Sequence, residues 1–306
     1  MLLDKTVSNL ASKLFSGQIV WRNVVLLLIL HVVSLQAFYF VLTITKWRTL
    51  IFGFTFGALT GQGITAGAHR LWAHRCYKAK LPLRIFLCFL QTVTLQNPLY
   101  EWVRDHRVHH KYTDTNADPH NATRGFFFSH MGWLLVRKHP DVITQGKKLD
   151  LSDLENDSVV MFQKKYYKII APVLSLIVPA LIPWYFFEED LYISWVTTCV
   201  LRYVITLHST WAVNSVAHIW GNKPYDKNIK PTENIAVSIV AYGEGWHNYH
   251  HVFPWDYKAA ELGNYRTNLS TAFIDLMAKI GWAYDLKSVS PEMLRQRKMR
   301  TGDWDY

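Results

Sequence analysis

VVLLLILHVVSLQAFYFVLTIT (residues 24–45) and TLIFGFTFGALTGQGITAGA (residues 49–68) are two uncharged runs separated only by Lys46, Trp47 and Arg48. A helix needs about 20 predominantly apolar residues to cross a hydrocarbon core. Each run meets that length, and the three-residue connector makes the pair a tight hairpin. A second pair follows later in the chain. Residues 169–187 are apolar but carry Pro172, Pro179 and Pro183, which predict kinks that neighbouring groups must satisfy. Residues 191–213 contain Arg202 and His208, and a charge at that depth is costly enough that Arg202 is expected to face protein or water. Glu188, Glu189 and Asp190 join this second hairpin. The alternative, four buried helices of a soluble bundle, conflicts with the rarity of such long uncharged runs in soluble cores. The first run is also too long, and too far from a small-residue cleavage site, for a signal peptide.

The fold class expected is therefore an all-α membrane protein, with four transmembrane helices and a helical cap. Residues 69–168 hold sixteen Lys and Arg, against two in the first connector and none in the second. The positive-inside rule puts that section and both termini in the cytosol. The expected divisions are a short N-terminal segment (1–23), a first transmembrane hairpin (24–68), a first cap section (69–168), a second transmembrane hairpin (169–213) and a second cap section (214–306), forming one catalytic unit. Two weaker apolar runs, 83–99 and 234–243, read as interfacial or packed cap helices. Asn121, Asn156 and Asn268 lie in N-x-S/T sequons that a cytosolic position leaves unglycosylated.

Composition agrees. The 306 residues are half apolar and 15% aromatic, with 13 Trp, a usage typical of chains that meet a lipid interface. The net charge is +10, and no nucleic-acid partner is expected. Three cysteines (Cys76, Cys88, Cys199) form no even framework and no C-x-x-C pair, which excludes a disulfide scaffold and a thiolate zinc site.

Eight of the 14 histidines fall in three boxes. H-R-L-W-A-H gives His69 and His74. H-R-V-H-H gives His106, His109 and His110. H-N-Y-H-H gives His247, His250 and His251. In H-x-x-H-H, offsets of three and four return to one helix face, so each box is expected to present its three imidazoles to one point. The second expected span ends at Ala68 and the fourth at Val213, so His69, Asn214 and His218 emerge on the same side. Asn214 and His218 lie four apart, which makes His218 a ninth candidate ligand. Nine imidazoles exceed what one ion binds, so two ions with four or five nitrogens each fit the count. Imidazole suits iron, copper, zinc and nickel, and copper or a dizinc hydrolytic centre is compatible with the same donors. Iron is favoured where the substrate is an unactivated hydrocarbon, because no side chain attacks one without an oxygen-handling cofactor. His31, His120, His130, His139 and His208 show no grouping and read as surface or hydrogen-bonded residues.

These boxes, with N-S-x-x-H before the third, resemble the membrane-bound fatty acyl-CoA desaturases of the stearoyl-CoA, or delta-9, type. The segments G-I-T-A-G-A-H-R-L-W-A-H, E-W-V-R-D-H-R-V-H-H-K, R-G-F-F-F-S-H-M-G-W-L-L-V-R-K-H-P, N-K-P-Y-D-K-N-I and G-E-G-W-H-N-Y-H-H-V-F-P-W-D-Y are also similar to family signatures, over residues 18–304. One departure is the start, where only 17 residues precede Gln18, a shorter leader than the family usually has. The resemblance implies that His69, His74, His106, His109, His110, His218, His247, His250 and His251 bind two irons, with Asn214 reaching a metal through water. It implies molecular oxygen as co-substrate and electrons from cytochrome b5 and its NADH-dependent reductase, at the endoplasmic reticulum membrane.

It also implies that Asn23, Arg104, Asp105, Arg137 and Lys138 hold the CoA end of a saturated fatty acyl-CoA. Arg and Lys suit its phosphates, although Arg137 and Lys138 also read as juxtamembrane residues attracted to anionic lipid. Gln96, Asn97, Trp102, Thr210 and Trp211 match positions lining the acyl tunnel; for the two tryptophans the competing reading is an interface belt. The product expected is a cis double bond, at delta-9 by family default, with delta-11 the alternative. A histidine-rich hydroxylase and a metal transporter are the rival classes. The hydroxylase generally has a shorter first spacing than H-x-x-x-x-H, and the transporter would need polar residues mid-span. Gly57 falls where mammalian relatives carry a tyrosine closing the methyl end of the tunnel, and Gly61 where they keep a small residue. Both are expected beside the acyl chain, although Gly53, Gly57 and Gly61 also form a face that would let helices approach closely.

Overall fold

The computed structural model describes residues 19–261 and 265–303, so the N-terminal segment expected over 1–23 lies outside it as far as residue 18. Helix α1 covers Trp21–Thr43. Helix α2 runs over 47–73, as α-helix through Trp47–Gln62 and π-helix through Gly63–Ala73. The cap begins with α3 (Leu81–Val93), α4 (Leu99–Lys111), α5 (Phe126–His130), α6 (Pro140–Gly146) and α7 (Ser152–Glu155). Helix α8 spans Ser158–Phe186 with a π turn at Val173–Ile177. Helix α9 covers 191–219, again with a π segment, Val196–Leu201. Four helices close the cap: α10 (Ile235–Val240), α11 (His247–Val252), α12 (Leu269–Lys279) and α13 (Pro291–Thr301). Among the described residues the one sheet is a two-stranded antiparallel ribbon of β1 (Lys78–Ala79) and β2 (Ala283–Tyr284).

Among the described residues α1 and α8 are long and apolar enough to cross a membrane. They expose large apolar side chains along their lengths, among them Leu28, Leu35 and Leu42 on α1 and Ile169 and Tyr185 on α8, more than a surface in water usually carries. The protein is a membrane protein. The other two expected spans, 49–68 and 191–213, lie on the continuous helices α2 and α9, which carry more polar residues. The helix expected from residue 169 begins eleven residues earlier, at Ser158, because Asp157 caps it by accepting from the Val159 N–H at 3.0 Å. Pro172 does not break α8. The ladder widens into the π turn directly after it, one of the adjustments that re-satisfy carbonyls freed by proline. Arg202 is buried, as its depth requires. It donates through Nε to the Thr198 carbonyl (2.8 Å), and through Nη2 to the carbonyl and hydroxyl of Ser175 (3.2 and 3.1 Å).

The two connectors meet. Glu189 Oε2 accepts from the Lys46 N–H (2.9 Å) and the Thr49 hydroxyl (2.8 Å), and Lys46 Nζ donates to the Phe187 and Glu188 carbonyls. At the other end, the π segment of α2 is the centre of the cap. Leu71, Trp72 and Ala73 pack with Leu83 and Leu87 of α3, Leu99 and Val103 of α4, and Ile274 of α12. Helix α3, which carries most of the run 83–99, packs one face on this core and exposes Leu81, Ile85 and Phe89 on the other.

Gly63 allows that approach, since a Cβ there would lie 2.2 Å from the Gln91 backbone N. Gly57 differs, with a Cβ at an ordinary 3.5 Å from Arg202 Cγ. Replacing Gly63 with Ala therefore pushes α2 and α3 apart and is expected to destabilise the protein by about 1–3 kcal/mol. Thermal unfolding in detergent should show a lower Tm for Gly63→Ala and little change for Gly57→Ala.

Candidate metal centre and the cavity beside it

The first histidine box depends on the π winding. Residues five apart on an α-helix point about 140° from one another. In a π-helix hydrogen bonds run to the fifth residue, and that residue returns to the same face. The His74 N–H donates to the His69 carbonyl (3.1 Å), and the two imidazole centroids lie 4.9 Å apart. Arg107 of α4 donates to the Trp72 and Ala73 carbonyls (2.8 and 3.2 Å), capping the segment's last turn.

The nine histidines gather in two groups, and within each the donor atoms lie within 4.8 Å of one another. His69, His74, His106, His110 and His250 form one, and His109, His218, His247 and His251 the other. The expectation that each H-x-x-H-H box serves one point is corrected. In α4 the i,i+4 pair His106 and His110 joins the first group and His109 the second. In α11 the pair His247 and His251 joins the second group and His250 the first. Residues four apart share a face more closely than residues three apart once two foci compete, so each box contributes to both.

The nitrogens are crowded. Nε2 atoms approach at 2.9 Å (His69–His250), 2.8 Å (His74–His106), and 3.0 Å (His110–His250, His218–His247 and His247–His251). Ligands at right angles around an ion bound at about 2.1 Å would stand about 3 Å apart. The His109 Nδ1 faces the Asp118 carboxylate at 2.9 Å, and its Nε2 is buried with no hydrogen-bond partner. A nitrogen lone pair held in that way suits a cation, and the donor set fits a pair of imidazole-bound metal ions.

Burial, reinforced by the neighbouring imidazoles, holds His74, His106, His110 and His250 well below the ordinary histidine range. These rings are neutral and ready to ligate at neutral pH. Burial also pulls His109 down, but the Asp118 carboxylate outweighs it and raises this ring.

Carboxylates behind the rings escaped the sequence reading: Glu244 beside His69 (2.8 Å), Asp118 beside His109, and Asp114 at 3.8 Å from His218. Glu244 stood in the quoted G-E-G-W-H segment, three residues before His247, and that proximity was the available signal. Of the histidines without a grouping, His139 caps α6 by accepting from the Asp141 N–H (3.2 Å). His31, His208 and His130 form a hydrogen-bonded chain (3.1 and 2.9 Å) that ends on Ser215 (2.8 Å). His120 is half-buried, packed against Trp133 and beside His109.

A cavity of about 370 Å³ opens from His69, His106, His109 and His247 and runs between α2 and α9 to Thr49, Leu50 and Val41. The lining stretch of α2 from Thr49 to His69 is about 30 Å long. Trp102, Thr210, Asn214, Gly57 and Gly61 line it. Gln96 stands behind Thr210, donating to its hydroxyl at 3.1 Å. Asn97 adopts a left-handed conformation (φ 70°) and accepts from Gln91 through its carbonyl (2.9 Å). Trp211 is turned to the other side of α9, edge-on to His208 and His130. Gly61 owes its size to packing, because a Cβ there would lie 2.2 Å from the Tyr242 ring.

Among the charged residues, Asp105 pairs with both Arg104 (2.9 Å) and Lys138. Arg137 is exposed beside them, and Asn23 donates to the Leu134 carbonyl (2.8 Å), tying α1 to the same strand of chain.

Two imidazole groups compatible with bound metal ions open onto a long apolar cavity. The profile of the fatty acid desaturase family matches residues 45–270. The chain is 59% identical over 292 residues to an acyl-CoA Delta-9 desaturase of Acheta domesticus, covering 95% of this chain and 81% of the relative. It is 54% identical over 290 residues to an acyl-CoA Delta-12 desaturase of Tribolium castaneum (94% and 81%). It is also 54% identical over 286 residues to an acyl-CoA Delta(11) desaturase of Spodoptera littoralis (94% and 84%). The chain belongs to the fatty acid desaturase family.

Acidification tests the state of the imidazoles. Below pH 6.5, the ordinary histidine value, the unfolded chain takes up protons that the folded rings refuse, so stability of the metal-free protein falls as pH drops from there toward their lowered values. The metal-free protein in detergent is expected to show a lower Tm at pH 5.5 than at pH 7.5, whereas metal-loaded protein should resist until the metal is released.

Proposed function

We propose that this enzyme introduces a cis double bond into a saturated fatty acyl-CoA, at delta-9. Two irons would be held by His69, His74, His106, His110 and His250 on one side, and by His109, His218, His247 and His251 on the other, with Asn214 acting through water. The observation that carries the reading is the joining of two separate imidazole groups to one apolar cavity. When bound, the iron pair supplies the oxidising power that no side chain possesses. The acyl chain loses two hydrogens, and molecular oxygen takes two further electrons and two protons to leave as two waters. The electrons come from cytochrome b5 and its NADH-dependent reductase.

The chain's own residues position the substrate. Arg104, Asp105, Lys138, Arg137 and Asn23 hold the CoA end outside the cavity. Trp102, stacked on His106 at 5.0 Å, and Thr210, braced by Gln96, fix the bend, while Trp211, turned toward His130 and His208, stands off the wall. A fixed anchor and a rigid wall select the methylene pair that meets the oxidant. The relatives with Delta-9, Delta-11 and Delta-12 names make delta-11 the second reading of position.

Four spans, α1, α2, α8 and α9, would cross the endoplasmic reticulum membrane with both termini cytosolic, and the five divisions of the chain expected above go with them. The contact of Glu189 with Lys46 and Thr49 supports this, since it joins the two hairpin connectors at the end remote from the histidines.

Expression in a yeast lacking its own desaturase tests the reading. A new cis-9 monounsaturated acid in the lipid profile is expected. A hydroxy acid, or no change in lipid, would overturn it in favour of a hydroxylase or a transporter. The same strain tests chain length. Gly57 leaves the cavity open past its position, so Gly57→Tyr should shift the product profile toward shorter acids with the double bond unmoved from the thioester. An unchanged profile from a stable, iron-loaded variant would refute the tunnel role.

A further inference from the structure

The two imidazole groups differ in the charge placed behind them. In the five-histidine group, Glu244 Oε2 faces His69 Nδ1 at 2.8 Å. Its other oxygen accepts from Arg70 Nε and Nη2 at 3.0 and 2.9 Å. Arg70 is wholly buried, and its remaining N–H groups donate to the Tyr257 and Lys258 carbonyls, Thr271 Oγ1 and Asn268 Oδ1. Carboxylate and guanidinium cancel, so this group receives orientation without net charge.

The four-histidine group is different. Asp118 Oδ1 accepts from His109 Nδ1 (2.9 Å) and the His120 N–H (2.9 Å), and its Oδ2 accepts from the Asp114 N–H (2.8 Å). The Asp118 side chain has no exposed surface, so water does not screen it. Asp114 Oδ2 lies 3.8 Å from His218 Nδ1. Among the described residues, no Lys or Arg forms an ion pair with either carboxylate. Two uncompensated anions therefore stand behind one metal position and none behind the other.

We propose that Asp118, acting through His109, and Asp114, acting through His218, are positioning residues that make the four-histidine position the tighter of two inequivalent metal sites. The inference rests on the two-metal reading above. A carboxylate on the distal nitrogen fixes the ring's tautomer and orientation and raises its basicity, and losing such a partner typically costs 10–100-fold in metal affinity. Buried negative charge adds direct attraction for the cation, weakened little by the dry surroundings. Glu244 gives its ring the same orientation, but its field at the metal is offset by Arg70.

The test uses purified, iron-loaded full-length protein in detergent. Iron per chain is measured with the time course of removal by a ferrous chelator, alongside Mössbauer spectra of isotopically enriched protein. Wild type should hold two irons that leave in two phases. In Asp118→Asn the slower iron should leave 10–100-fold faster while the other keeps its rate, and only one Mössbauer component should change. Asp114→Asn should move the same iron by a smaller factor, and it decides the matter if Asp118→Asn does not fold. Wild type holding fewer than two irons would overturn the two-metal reading itself. Two irons in wild type, with both variants releasing them at wild-type rates, would overturn only the asymmetry. Loss of both irons together in either variant would also overturn it, by making the role structural.

Discussion

Nine imidazoles crowded until their facing nitrogens stand about 3 Å apart are an unfavourable arrangement unless a cation lies between them. Each neutral ring has one donor and one acceptor, and several donors are already committed outward, as at His69 and His109. The inward nitrogens then face one another in a dry interior, where an unmet polar group is costly, and at His109 the inward Nε2 has no hydrogen-bond partner. The cap is built to hold that frustrated focus. It is the reason so much of the buried polar network in this protein lies directly behind the rings.

That network acts at several points along the chain. Arg70 joins the π segment of α2 to the Lys258 loop and the start of α12, and Arg107 ties the end of the same segment to α4 and Asp153. Asn248, between two histidines of the third box, accepts from the N–H groups of Tyr225 and Asp226 and donates to the Asp226 and Pro231 carbonyls. Each of these side chains connects segments far apart in sequence and meets one of the histidine-bearing helices. The sequons show the same use of polar groups. Asn121 and Asn268 are buried helix caps, accepting from the Thr123 and Thr271 N–H groups.

On the membrane side the constraint is the reverse: backbone groups must be satisfied without water. The π segments of α8 and α9 lie beside one another, and the buried Arg202 guanidinium donates to carbonyls in both helices. This arrangement leaves the α2–α9 face free of bulky packing, and the cavity runs there. Gly53 and Gly57 keep that wall thin, while Gly61, nearer the metals, is consumed by contact with Tyr242.

The sequence by itself determined what depends on composition and short-range period. Long uncharged runs marked the helices, box spacing marked the imidazoles, and the family followed from both. The partition of the boxes was not legible. A three-residue and a four-residue offset look alike on one helix, and only the meeting of α2, α4, α9 and α11 makes two foci compete for them. The π winding was hidden for a related reason, since a five-residue histidine spacing implies it only if both rings serve one point. Asp114 and Asp118 were invisible as partners because nothing local distinguishes them from other acids, and Glu244 offered only its place three residues before His247. Their role comes from which ring they face and whether a cation neutralises them, as Arg70 neutralises Glu244. Those are properties of the dry interior into which the tertiary structure brings them together, where charge is felt over several ångströms.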